Sequence, residues 1–80
     1  MPQTLIVALV RIDRAVHSRS SVGDRVRVGE RGSGLSVFTS AGRIGDIPPG
    51  YVEKVRTANY AAGAISQLQA DPIGVTVSLH

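Results

Sequence analysis

The chain has 80 residues, no cysteine and no tryptophan, nine Lys plus Arg against six Asp plus Glu, and a formal net charge of +3. That length makes one domain, residues 1–80, able to bury roughly 60 to 65% of its unfolded surface. The lack of cysteine excludes a disulfide framework and thiolate chemistry and removes the usual structural zinc ligands, leaving His17 and His80 as the only imidazoles, so no metal site or cofactor is expected.

In chain order, Thr4 to Ile12 predicts a first strand. Its nearly continuous Leu-Ile-Val-Ala-Leu-Val run suggests burial on both faces, as for a core strand. The run is too short to span a membrane, lacks a preceding basic region and leads into Arg11 and Asp13, so a cytoplasmic chain is expected. Asp13 to Gly23 shows no sustained period and reads as a long charged loop carrying Arg14, His17 and Arg19, with His17 solvated. Asp24 to Gly29 is a second strand with Val26 and Val28 on one face. Arg25 and Arg27 share the other, about 6.6 Å apart at roughly 3.3 Å per residue. The glycine-rich link Gly29 to Gly34 reads as a flexible hairpin connection with Arg31 alongside.

The most explicit stretch is Gly34 to Val55. Leu35, Val37 and Thr39 alternate with Gly34, Ser36 and Phe38, and a second apolar run, Ile44 to Ile47, follows a Ser40-Ala41-Gly42 loop whose glycine supplies a positive φ. Pro48-Pro49 cannot extend a ladder and pre-sets the first turn of a helix. From Tyr51, residues Val52, Val55 and Ala58 recur at helical spacing, with Glu53 early and Lys54 and Arg56 late, so the helix should pack through Tyr51, Val52 and Val55. Asn59 suits a left-handed cap. Ala61 to Leu68 is a weakly signalled strand, Asp71-Pro72-Ile73-Gly74 has the residues of a type I turn, and Val75, Val77 and Leu79 alternate as the clearest strand in the chain. The order is β-β-β-β-α-β-β, mostly β with one short helix, and edge closure in so small a domain favours a partly closed barrel of SH3-like or OB-like form.

The central run, with Val37, Gly42, Ile44, Gly45, Ile47 and Pro48 as strand, small turn, Ile-Gly-x-Ile-Pro and helix, resembles the centre of the HIRAN domain. The resemblance extends to the opening strand, Gly23-Asp24-x-Val26 and Gly74-Val75-x-Val77. It implies a small β-barrel with one or two helices and a non-enzymatic role gripping single-stranded DNA or its end. Between the second and third strands this chain has Glu30-Arg31-Gly32-Ser33-Gly34 in place of the family's aromatic and carboxylate segment, so no DNA-end contact is carried over by position.

Eight of the nine basic residues are arginine, and the arginine fork suits phosphate oxygens. Arg14, Arg19, Arg25, Arg27 and Arg31 are therefore the candidate nucleic-acid or phosphate-binding residues, with Tyr51 and Tyr60 as candidate stacking platforms; solvated arginines and core or helix-end tyrosines are the structural alternatives. No pair of residues has the spacing of catalytic machinery, so an enzyme is not expected. An alternative to nucleic-acid binding is a small homo-oligomer of phage type that captures a nucleotide signal or a host defence protein. A third reading is an assembly module whose arginines only solubilise it. Phe38 lies opposite in parity to Leu35 and Val37, and the two-sided apolar strands predict self-association.

Overall fold

The computed structural model describes residues 4–80. Eight elements follow in chain order: β1 (Leu5–Ala8), α1 (Arg14–Ser18), β2 (Arg25–Arg31), β3 (Gly34–Thr39), β4 (Gly42–Asp46), α2 (Pro49–Thr57), β5 (Ala62–Ala70) and β6 (Ile73–Leu79). All strand pairings are antiparallel, in the spatial order β1-β6-β5-β2-β3-β4. The two ends of this sheet approach each other just past β1, where Val10 and Asp46 exchange backbone hydrogen bonds of 3.0 and 2.8 Å. Among the described residues that bridge and a further backbone bond, from Asp13 N–H to Ile44 O at 2.9 Å, join the edges, and the sheet is not fully closed. The expected partly closed, mostly β domain is what forms.

Alternation places the core. Val75, Val77 and Leu79 of β6 face inward against Val7, Val26, Val37, Ile44 and Ile65, each essentially removed from water. At about 25 cal/mol per Å² of apolar surface, this cluster supplies the main force holding the sheet curled. The helix α2 begins at the proline pair, with Pro48 as N-cap and Pro49 in the first turn, and it buries Val55. It ends in a Schellman motif: Tyr60 N–H donates to Val55 O and Asn59 N–H to Arg56 O, each at 3.1 Å, with Asn59 left-handed at φ 57°.

Several local expectations are corrected. The segment read as a long loop contains α1, a single helical segment whose N-cap Asp13 accepts from Val16 N–H at 3.0 Å; five residues are too few to display a helical period. His17 lies on that helix, half-buried, with Nε2 shielded from solvent and without a hydrogen-bond partner among the described residues, so it is not a solvated loop side chain. The first strand is an edge rather than a core strand: β1 pairs with β6, and its outward side chains Ile6 (63% exposed) and Ala8 face solvent while Val7 and Leu9 are buried. The strand β2 runs on to Arg31, so the link to β3 is a tight two-residue turn, Gly32-Ser33, with Gly32 at φ 60° in the first central position that a type II′ turn reserves for glycine. Likewise Gly42, at φ 125°, already pairs with Thr39, leaving Ser40-Ala41 as the loop. The last hairpin turns one residue earlier than a type I reading requires. Ala70 pairs with Ile73, and Asp71-Pro72, joined by a cis peptide bond, form the corner. Tyr51 is 40% exposed, so α2 packs through Val55 and Val52, and Glu53 lies beyond the first turn.

Candidate phosphate-binding face and cleft

The outward face of β2 is set by parity. Val26 points into the core, so Arg25, Arg27, Gly29 and Arg31 point out, and Arg25, Arg27 and Arg31 are exposed. Across the sheet, Arg27 stands opposite Ala62 of β5 and Phe38 of β3, and Phe38 stands opposite Arg43 of β4. Cross-strand neighbours of this kind have Cβ atoms about 4.5–5.5 Å apart, so Phe38 stands between two arginine positions on this face. Gly29 makes room for that ring: a Cβ at position 29 would come within 2.9 Å of Phe38 Cε2. Phe38 is thus on the outer face of the sheet, half-buried, in arginine company.

Beside this row the outer face sinks into a cleft of about 540 Å³ between β3, β4, the segment after β1 and the start of α2. Its polar lining includes Arg11, Arg31, Arg43, Asp46, Ser33 and Ser36. Asp46 organises the floor. Its Oδ1 accepts from the buried Ser36 hydroxyl at 2.7 Å and from Arg43 Nη1 at 3.0 Å, and the same Nη1 also donates to the Arg11 carbonyl at 3.3 Å. Burial works to raise the Asp46 pKa. The Ser36 hydrogen bond, the charge and hydrogen bond of Arg43 and the charge of Arg31 outweigh it and hold the carboxyl below the usual aspartate value. Arg11 is positioned by a left-handed backbone at φ 52° immediately after the Val10–Asp46 bridge.

The sequence candidates divide between these features. Arg25 and Arg27 share the exposed β2 face and Arg31, four residues on, reaches the cleft. Arg14 and Arg19 belong to α1 and its C-cap, a separate element packed on β4 rather than a continuation of that strand face. Ion pairs among the described residues join Arg43 to Asp46 and Arg56 to Glu30, at 3.0 and 3.3 Å; Arg25, Arg27 and Arg31 take part in neither. Of the tyrosines, Tyr51 is exposed at the start of α2, and Tyr60 packs against the core at the other end of that helix. Sequence reasoning missed Arg11, Arg43, Asp46 and Phe38 as site residues; the usable signal was parity, which puts Phe38, Ser36 and Gly34 together on the face opposite Leu35 and Val37.

Among the described residues no group of three His, Cys, Asp or Glu side chains gathers to hold a metal ion, and no helix is long and apolar enough to cross a membrane. Fold and face together define a small, partly closed antiparallel β-barrel with a cationic outer surface. The chain matches no family model, and no curated protein or solved structure matches it significantly.

Proposed function

We propose that this chain is a non-enzymatic module that binds single-stranded nucleic acid across the outer face of β2 and β3, with Arg25 and Arg27 on successive phosphates and Phe38 under a base. The observation that carries the reading is the cross-strand row Arg27–Phe38–Arg43 beside Arg25, a half-buried aromatic residue between arginine positions on the outer face of the sheet. Sheet-borne aromatics with a cationic surround suit single strands because every base has a π-face and every linkage a charge. Double-stranded nucleic acid is disfavoured, since its bases are already stacked on one another. The resemblance to HIRAN domains points to the same ligand class, reached here through a different residue set.

Contacts of this kind read no base edge, so binding should be indifferent to sequence and steeply salt-dependent. The test is a fluorescence titration with a labelled oligothymidylate at several salt concentrations, comparing the wild type with Arg25→Ala/Arg27→Ala. Each phosphate neutralised on a single strand contributes about 0.7 to the log–log salt slope, so the double variant should lose about 1.4 from it. An unchanged slope, or no binding to single-stranded DNA or RNA at low salt, overturns the proposal.

A further inference from the structure

The cleft beside the proposed strand-binding face carries its own chemistry. Three guanidinium groups, those of Arg11, Arg31 and Arg43, oppose a single carboxylate, Asp46. That carboxylate is already engaged with Ser36 and Arg43. All the hydrogen bonds that Arg43 makes among the described residues leave from Nη1, so its Nη2 and Nε remain as donors. Arg11 and Arg31 are exposed and unpaired among the described residues. The charge left over is two positive units, which matches a dianion better than the single charge of a phosphodiester linkage, and an arginine fork suits oxygens of a tetrahedral phosphoryl group. The apolar part of the lining includes Val10, Pro49 and Val52, with Val10 39% exposed. A volume of about 540 Å³ is within the ordinary range for a small-molecule site.

We infer that this cleft is a binding site for a phosphomonoester, its dianionic phosphoryl group held by Arg11, Arg31 and Arg43 and its attached ring system laid on Val10, Pro49 and Val52. Two sources share that chemistry, a free nucleoside monophosphate and the phosphorylated end of a strand. The inference does not rest on backbone binding: Arg25 and Arg27 lie on β2 outside the cleft lining, and Arg43 alone belongs to both features.

The experiment is isothermal titration with adenosine 5′-monophosphate and with adenosine at constant ionic strength, using the wild type, Arg11→Ala/Arg31→Ala and Arg25→Ala/Arg27→Ala. Among the described residues neither the Arg11 nor the Arg31 side chain makes a hydrogen bond or ion pair, so their replacement should leave the barrel intact, and the melting temperature checks this. The nucleotide should bind one per chain and adenosine about tenfold or more weaker, because charge-assisted bonds to the phosphoryl oxygens are lost. Arg11→Ala/Arg31→Ala should weaken nucleotide binding by a similar factor, while Arg25→Ala/Arg27→Ala leaves it unchanged. Oligonucleotides with a 5′- or 3′-phosphate, set against their hydroxyl-ended counterparts, separate the sources. A gain from an end phosphate assigns the site to strand ends, and no gain alongside nucleotide binding assigns it to free nucleotide. Adenosine binding as tightly as the nucleotide, no binding of any phosphomonoester, or an Arg11/Arg31 variant with wild-type affinity overturns the inference. Loss of oligonucleotide affinity in Arg25→Ala/Arg27→Ala with nucleotide binding intact keeps the two sites distinct.

Discussion

Gly63 offers the sharpest test of the packing. It sits in β5 between β2 and β6, paired with Val26 on one side and Leu79 on the other, and it is buried. A Cβ there would press into the Ser78 carbonyl oxygen and lie 2.9 Å from Ser78 C and 3.0 Å from Leu79 Cα, all backbone atoms of the adjacent strand. No side-chain rotation relieves that overlap, so Gly63→Ala must pry β5 from β6, the two strands of the longest hairpin. Overpacking ordinarily costs about 1–3 kcal/mol, and a clash borne wholly by backbone belongs at the upper end. About 0.5–1 kcal/mol returns because alanine has less unfolded freedom to lose than glycine, for a net loss of about 2 kcal/mol. A domain of this size has roughly 4–12 kcal/mol to lose, and each kcal/mol moves the midpoint about 4–8 °C, so the melting temperature should fall by about 8–16 °C. Gly29→Ala is the internal control. Its Cβ would also come within 2.9 Å of an atom, but that atom is the edge of the Phe38 ring, which can swing aside. Its cost should stay under about 1 kcal/mol. Thermal unfolding followed by circular dichroism reads both variants, and the reasoning fails if Gly63→Ala melts within a few degrees of wild type or if Gly29→Ala is equally damaging.

Three further outcomes follow from single side chains. The Asp46 carboxyl is held below its ordinary pKa in the folded state, so its stabilising contribution is present above about pH 4, where the unfolded group ionises, and disappears as pH falls through the lower folded value; Asp46→Asn should flatten that part of the acid-unfolding curve, and an unchanged curve would contradict the assignment. Phe38→Ala should weaken single-strand binding by about 1–3 kcal/mol while leaving the salt slope alone, since a ring contributes stacking and no counterion release; a changed slope would mean the substitution had moved the arginines. His17→Leu removes a shielded nitrogen that has no partner among the described residues and should raise stability by about 1 kcal/mol in urea unfolding, with a loss of that size counting against the burial argument.

How much of this could be read without coordinates depended on whether the deciding interaction was local. The stretch from Leu35 to Ile47 and the run from Val75 to Leu79 were legible because one buried face imposes a period of two, and the proline pair and Asn59 announce the bounds of α2 through their own backbone preferences. The helix α1 left one mark, the Asp13 cap, in a segment too short to show a period. For β1 the composition misled: Ile6 and Ala8 look like core residues, and only the strand order puts them on an outer edge. The cleft was invisible for a similar reason. Arg11, Arg31 and Arg43 come from three separate segments: the β2–β3–β4 ladder brings Arg31 and Arg43 to one cleft, and the Val10–Asp46 bridge adds Arg11.

That strand order also dictates how the molecule must assemble in time. Three of its pairings join neighbours through two-residue turns, while β2–β5 joins residues such as 25 and 64, and β1–β6 joins residue 5 to residue 79. Closing a loop costs entropy that grows with the logarithm of its length, so the three hairpins can nucleate early and β1 docks last, when both flanks of its site already exist. Interactions formed after the rate-limiting step affect unfolding rather than folding. Val7→Ala should therefore accelerate unfolding with little change in the refolding rate, whereas Val77→Ala, inside the β5–β6 hairpin, should slow refolding.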